Sequence, residues 1–322
     1  MRMARVRYDR EMSYYHLMNR IAGEAGHYPF GPVEKEKLFQ LAMEVSRFHS
    51  LDLLSVAIMG NHWHVVCAAP ADPPSRERVM ANWRAARGPD TPEPNWEDPE
   101  TVAKLAARMR DISCFAKELQ QRFTRWYNRT RLSRRRGGLW ADRFHSVLLE
   151  KDTALWDCLT YVEMNPVRAG LAESPDDYRF CTWGRMAGSG THPFAANLVR
   201  HLRHHLGDQA ETWSDDRVVA ELAANMGRIA AGERGEDAEA IFAAEAEART
   251  GRDPFVLTVR RRVRYWSDGA LIGSELFVRE MAARLLDTKR ALRKRLAPGL
   301  SPPGRPGDLP ALFAYRRLPM LD

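Results

Sequence analysis

Cysteine is scarce in this 322-residue chain, with four residues (Cys67, Cys114, Cys158 and Cys181) that are widely spread and form no CxxC pair. That spacing argues against a zinc ribbon and against the disulfide framework of a small secreted protein. Long apolar runs are missing as well, and no stretch approaches the roughly 20 residues of a membrane-spanning helix. The first residues, MRMARVRYDREMSYYHLMNR, are charged and lack the apolar core of a secretory leader, so a cytoplasmic protein is expected. Acids nearly vanish between residues 122 and 143, where Asp142 stands alone among eight arginines. No internal repeat is visible. What remains is length enough for two domains, or for one domain with a large extension. Its 49 Lys and Arg outweigh 42 Asp and Glu, a formal +7 that favours a polyanionic partner.

The chain does hold a pair of histidines in a strand-like setting. In SVAIMGNHWHVVCAAP (55–70), Val56, Ile58, His62, His64 and Val66 fall at even positions. Side chains two apart on a strand share a face, so both imidazoles point one way while Trp63, Val65 and Cys67 point the other way into a core. Two same-face histidines can grip one metal ion. They can equally be half-buried histidines satisfied by backbone carbonyls.

Residues 12–20, rich in Tyr, His and Met, read as a strand. Pro32 opens a helix in which Val33, Phe39, Leu41, Val45 and Phe48 give an apolar stripe. The next strand is 53–59, Gly60-Asn61 is a turn, and 62–68 pairs back as a hairpin. The segment 71–100, full of Pro, Asp, Asn and Glu with Trp83 and Trp96 as isolated anchors, reads as an insertion or mobile connection. Helical periodicity returns from Glu100 to about Tyr127, 140–150 is a further strand, and Asp152 or Thr153 caps a helix running toward Tyr161. The order β-α-β-β-α-β followed by a helix predicts an α+β fold, a ferredoxin-like split βαβ antiparallel sheet with helices. Helices on one face would leave the other free for a ligand.

Within 122–143, Trp126, Tyr127 and Trp140 are interleaved with the arginines. Guanidinium forks grip phosphates and aromatic faces stack unpaired bases. The candidate DNA-binding set is Arg122, Arg125, Arg129, Arg131, Arg134, Arg135, Arg136, Trp140 and Arg143; the plainer reading is a solvated basic face.

About a hundred residues after the histidines comes Tyr161-Val162-Glu163-Met164-Asn165-Pro166-Val167-Arg168-Ala169-Gly170-Leu171. Other pieces fall in order around it: Tyr15-His16-Leu17 with Arg20, Gly138-Leu139-Trp140-Ala141-Asp142-Arg143-Phe144, Asp177-Tyr178 and Trp183. On these pieces residues 1–184 resemble the single-tyrosine HUH transposases, and more narrowly the REP-associated tyrosine transposase group. The resemblance implies that His62 and His64 hold a catalytic divalent metal, Mg²⁺ or Mn²⁺, and that Tyr161 attacks a DNA phosphate. Asn165, four residues after Tyr161 and on its helical face, is the candidate third ligand, since related transposases place Gln or Asn there. Pro166 disfavours helical geometry at Asn165, which can therefore also cap a new short turn. Arg168 contacts phosphate or closes a helix end, and His145 faces the site or packs into the fold. Three features depart from the family: Gly60 stands where a proline is common, 71–100 is long, and about 140 residues follow the matching region.

That remainder, 185–322, reads as a mainly helical C-terminal extension. Helices within 210–250 join near Gly232 to Gly235, a basic aromatic strip runs from Arg260 to Trp266, and a helix from about Gly273 carries Phe277, Met281 and Leu285 inward. A basic stretch from Lys289 to Arg295 follows. The pattern fits an accessory DNA-binding module of helix-turn-helix type, and it fits equally a helical brace on the catalytic sheet.

The resemblance thus implies a metal-dependent single-stranded DNA endonuclease and strand transferase, a transposase that forms a 5′-phosphotyrosine intermediate at hairpin-flanked sites. Its partner is single-stranded or hairpin DNA at the bacterial nucleoid, with no membrane role. It acts as a monomer or a homodimer, the insertion and extension favouring the monomer. Three rivals stand beside it: a non-cleaving DNA-binding regulator derived from a transposase, another HUH nuclease such as a replication initiator or relaxase, and an unrelated two-histidine metallohydrolase.

Overall fold

The computed structural model describes residues 12–23, 26–88, 90–131, 135–151, 153–232, 266, 269–285, 297–300 and 312–316. Expectations for Arg134, Asp152, 233–250, the strip before Trp266 and Lys289 to Arg295 lie outside these residues. Four strands come first in the fold: β1 (Ser13–Arg20), β2 (Asp52–Ile58), β3 (His62–Ala69) and β4 (His145–Leu149). They pair antiparallel in the order β2-β3-β1-β4, which is the ferredoxin-like order expected. Trp140 contributes only an isolated bridge to Ile21, so β4 starts five residues later than the run 140–150 suggests.

Helix boundaries follow their caps. Before α1 (Pro32–Ser46), the Glu34 carboxylate accepts the Gly31 N–H at 2.9 Å, and Pro32 supplies a preset first turn. The periodic run 100–127 is two helices, α3 (Pro99–Met109) and α4 (Ile112–Thr130). Asp98 accepts the backbone N–H of Glu100 and Thr101, and Asp111 accepts that of Ser113 at 2.6 Å, so the chain restarts where a second cap is available.

The segment 71–100 is not a loose connection. It holds α2 (Arg76–Ala86), capped by Ser75, and the entry to α3. Trp83 meets Trp96 edge to face at 5.8 Å, and Val79, Trp83, Phe48, Ala106 and Met109 form a small apolar cluster beside the main core. The two tryptophans carry enough apolar area to order a polar stretch.

Directly opposed residues of an antiparallel pair share a face, so Arg20, Met18, His62, His64 and Val66 lie on one side of the sheet. Trp63, Val65 and Cys67 lie on the other, all fully buried, as alternation predicts. Helix α1 packs on β2 and α4. The histidine face is not free, contrary to expectation. Helix α5 (Thr153–Glu163) crosses it, with Tyr161 against His16 and His64 and with Glu163 accepting the Ser55 hydroxyl. His145, opposite Met18, is exposed rather than packed.

Beyond α7 (Thr182–Ser189), α8 (Ala195–Leu202) and α9 (Asp215–Gly232), the chain returns to the sheet. Strand β5 (Gly269–Gly273) pairs parallel with β4, and α10 (Glu275–Leu285), β6 (Ala297–Leu300) and β7 (Leu312–Arg316) follow, giving the order β2-β3-β1-β4-β5-β7-β6. The mainly helical extension expected is present in α8, α9 and α10; these three strands were not expected. Met281 of α10 is buried and Phe277 half-buried. Among the described residues no helix is long and apolar enough to cross a membrane.

Candidate functional site

His16, His62, His64, Tyr161 and Trp266 meet on the α5 side of β1 and β3. The His62 and His64 rings lie 5.0 Å apart at 86°, and the Tyr161 ring stands 5.9 Å from His64 and 6.0 Å from His16. His16 Nε2 is 2.9 Å from His64 Nδ1, with the rings within 13° of one plane and 5.1 Å between centroids. Together those values describe two rings edge to edge in one plane, not a face-to-face stack. His16 Nδ1 is 2.9 Å from the Trp266 carbonyl, and His62 Nδ1 is 2.7 Å from Asn61 Oδ1. Among the described residues neither His62 nor His64 is satisfied by a backbone carbonyl.

Burial decides the charge state of these rings. Desolvation pushes His16 down to about 4, against a weaker pull from the Trp266 carbonyl. It pushes His62 to about 4 with help from the Arg20 guanidinium, and His64 well below the ordinary imidazole value with help from the other two rings. All three are neutral at pH 7, the state in which an imidazole can bind a metal. His64 Nε2 and the Tyr161 hydroxyl are buried, and neither has a hydrogen-bond partner among the described residues. Burial also raises the Tyr161 phenol, while Arg168, whose guanidinium carbon lies 5.6 Å from the ring centroid, and the nearby Asn165 amide, which is outside normal hydrogen-bond geometry, favour the phenolate.

Asn165 opens the four-residue helix α6 (Asn165–Arg168); Met164, not Asn165, is at the cap position. The Asn165 amide nitrogen donates to the carbonyls of Tyr161 (3.0 Å) and Val162 (3.3 Å). Two carbonyls can face only a donor, so Oδ1 is turned away from them. Among the described residues no three His, Cys, Asp or Glu side chains converge as a metal set. The set on offer is two imidazoles and an amide.

Tyr161 is only 2% exposed because the Trp266 ring stacks on it at 5.7 Å and 22°. Sequence reasoning missed His16 and Trp266 as site residues. His16 carries a signal, since it alternates with Tyr14 and Met18 on β1; Trp266, a hundred residues beyond Tyr161, carries none.

The arginines divide by partner. Arg122 pairs with Glu118 at 2.6 Å, and Arg131 pairs with Glu34 while lying 4.2 Å over the Tyr127 ring. Arg135 braces the loop through Asn128 Oδ1 (3.0 Å) and the Gly138 carbonyl (2.8 Å). Arg125, Arg129, Arg136 and Arg143 are exposed and have no acidic partner among the described residues. Arg125 and Arg143, with Lys117, Gln120, Gln121 and Trp140, line a cavity of about 810 Å³ between α4 and the loop before β4. The indole N–H of Trp140 donates to Thr124 Oγ1 at 3.0 Å, which fixes the ring as a wall. Asn19 Nδ2 donates to the Asp142 carbonyl at 2.9 Å and Ala141 N–H donates to the Arg20 carbonyl at 3.0 Å. Arg20 is the residue opposite His62, so the loop that lines the cavity is tied to the end of β1 that pairs with His62.

No family model and no curated protein matches this chain. Among solved structures it is similar to one described as the REP-associated tyrosine transposase bound to a REP hairpin. The likeness has a TM-score of 0.38 and 16% identity, and covers 60% of this chain and 90% of that one.

Proposed function

We propose that this protein is a metal-dependent DNA strand transferase in which Tyr161 is the nucleophile. The observation that carries the reading is a pair of buried polar atoms, the Tyr161 hydroxyl and His64 Nε2, on rings 5.9 Å apart, neither with a partner in normal hydrogen-bond geometry among the described residues. A buried polar group without a partner costs about 1–3 kcal/mol, and such groups cluster where a ligand supplies the missing interaction. The donor set fits Mg²⁺ or Mn²⁺: neutral His62 and His64 with the Asn165 amide oxygen would hold the ion, leaving positions for water and phosphate. The ion would polarise the scissile phosphate and neutralise charge on its oxygens.

In the proposed reaction the Tyr161 oxygen bonds to phosphorus and the strand's 3′ oxygen departs as a free hydroxyl, leaving a 5′-phosphotyrosine. One phosphoester replaces another, so rejoining needs no nucleotide triphosphate. Arg168 beside the phenol favours loss of its proton. Lys117, Arg125 and Arg143 would hold the incoming strand by its phosphates, with the cavity beside Trp140 taking unpaired bases. The Trp266 ring must leave Tyr161 before DNA can reach it. That cover is also the observation favouring a second reading, a DNA-binding regulator that no longer cleaves.

Labelled single-stranded and hairpin oligonucleotides, incubated with Mg²⁺, Mn²⁺ or chelator, separate the two. Strand transfer predicts a denaturation-resistant adduct that requires metal. Binding with no adduct in either metal selects the regulator, and free hydrolysed product without adduct selects a metallohydrolase.

A further inference from the structure

The histidine contacts determine where each imidazole proton sits. A carbonyl oxygen can only accept, so the Trp266 carbonyl 2.9 Å from His16 Nδ1 takes a proton carried on Nδ1. Neutral His16 then has a bare Nε2, and the 2.9 Å contact to His64 Nδ1 is a bond donated by His64. With its proton on Nδ1, His64 is left with a bare Nε2, the buried atom that has no partner among the described residues. Protons on both His16 nitrogens would instead leave His64 Nε2 as a buried N–H with no acceptor among the described residues. That arrangement would also place an imidazolium in a fully buried position.

His62 repeats the pattern through a different side chain. Asn61 Nδ2 donates to the His27 carbonyl at 3.0 Å, which fixes the amide with Oδ1 toward His62. The 2.7 Å contact from His62 Nδ1 to that oxygen is therefore donated by the ring, and Nε2 is again the bare nitrogen. In both cases a backbone carbonyl, acting through one intervening side chain, selects the tautomer. For His64 the carbonyl comes from Trp266, whose ring also covers the tyrosine.

We infer that His16 and Asn61 are positioning residues that lock His64 and His62 as Nδ1–H tautomers and so reserve both Nε2 lone pairs for one divalent cation. The assignment of the cation rests on the function proposed above, whereas the tautomers belong to the protein alone. Partners that fix the non-ligating nitrogen of a metal-binding histidine typically govern 10- to 100-fold in metal affinity.

Nitrogen-15 NMR of the full chain without metal reads the tautomers directly, because protonated and bare imidazole nitrogens have well-separated shifts. Both His62 and His64 should show a protonated Nδ1 and a bare Nε2. A protonated Nε2 on either ring in the wild type overturns the inference. For His16→Phe the expected result is mixed tautomers at His64 and a Mn²⁺ affinity, read by electron paramagnetic resonance, that falls about 10- to 100-fold. His16→Gln, whose amide can donate to the Trp266 carbonyl and accept from His64, should restore most of both. Should His16→Phe fail to fold, Asn61→Ala makes the same demand at His62, and Asn61→Asp, which still accepts from the ring, should rescue it. Unchanged tautomers in a folded His16→Phe or Asn61→Ala variant would sink the relay. The two claims fail separately: Nδ1–H tautomers with no Mn²⁺ binding would refute the cation and leave the relay standing, while Mn²⁺ bound through Nδ1 would do the reverse.

Discussion

Replacing Glu163 by glutamine should change how stability depends on pH, and the structure sets the sign and size. The Glu163 side chain is fully buried, accepting the Ser55 hydroxyl and, at 3.2 Å, the Trp183 backbone N–H. Burial pushes its carboxyl up to about 7, and the hydrogen bonds to it offset only part of that rise. An acid raised above its ordinary value of about 4.5 keeps a proton in the folded state that the unfolded chain has already released. Its contribution is therefore fully present below about 4.5 and is lost as pH rises through about 7. At about 1.4 kcal/mol per pH unit, the window from 4.5 to 7 amounts to about 3 kcal/mol. Desolvated histidines act in the opposite direction: with buried His16 and half-buried His62 held down to about 4, the fold loses stability as pH falls. The wild-type curve alone thus mixes both signs, and the difference between wild type and variant isolates Glu163. Glutamine keeps the shape, can accept from Trp183 and donate to the Ser55 oxygen, and does not titrate. Urea unfolding of both proteins from about pH 4 to 8 should show Glu163→Gln gaining about 3 kcal/mol on wild type across that window. A difference that stays flat, or that moves in favour of wild type as pH rises, would mean the carboxylate is stabilised where it sits.

Further predictions concern the proposed DNA surface, the second cluster and the cover over the tyrosine. Exchanging Lys117, Arg125 and Arg143 together for Gln should flatten the salt dependence of single-strand binding by about 0.7 for each phosphate no longer neutralised. Arg122→Gln, which removes a charge already paired with Glu118, should leave that slope unchanged, and equal effects would erase the distinction. Trp83→Ala should cost about 3 kcal/mol in denaturant unfolding, by emptying the cluster with Phe48 and Met109, while adduct formation on a saturating oligonucleotide stays as in wild type. Trp266→Ala should speed adduct formation severalfold by uncovering Tyr161; an unchanged rate would show that the ring does not limit access.

Much of the site was legible because period-two alternation is local. His62 and His64 share a face, with Trp63 in the core, for the same reason any strand alternates. The ferredoxin-like order followed from element order, because few chain paths pair four strands with these connections. Strand register was not legible, and His16 meets His64 only through the pairing of Met18 with His64 and His16 with Val66. Trp266 reaches the site through strands that bring a distant part of the chain beside β4, and no local pattern announces that. The arginines show both cases. Glu118, four residues before Arg122 on one helix, was readable as a partner. Glu34, the partner of Arg131, is brought close only by the fold. In 71–100 the polar, proline-rich composition masked the caps at Ser75 and Asp98 that order it.

The central claim, that Tyr161 carries the DNA in a covalent intermediate, is tested most directly by intact-protein and peptide mass spectrometry after reaction with a hairpin-flanked single strand and Mn²⁺. Wild type should gain the mass of the 3′-side fragment on the peptide containing Tyr161, and chelator should abolish the gain. Tyr161→Phe should form no adduct. That variant should bind DNA as tightly as wild type and be about 1 kcal/mol more stable, because the hydroxyl it removes is buried with no partner in normal hydrogen-bond geometry among the described residues. An adduct that persists in Tyr161→Phe, or that maps to another residue in wild type, would contradict the assignment of the nucleophile.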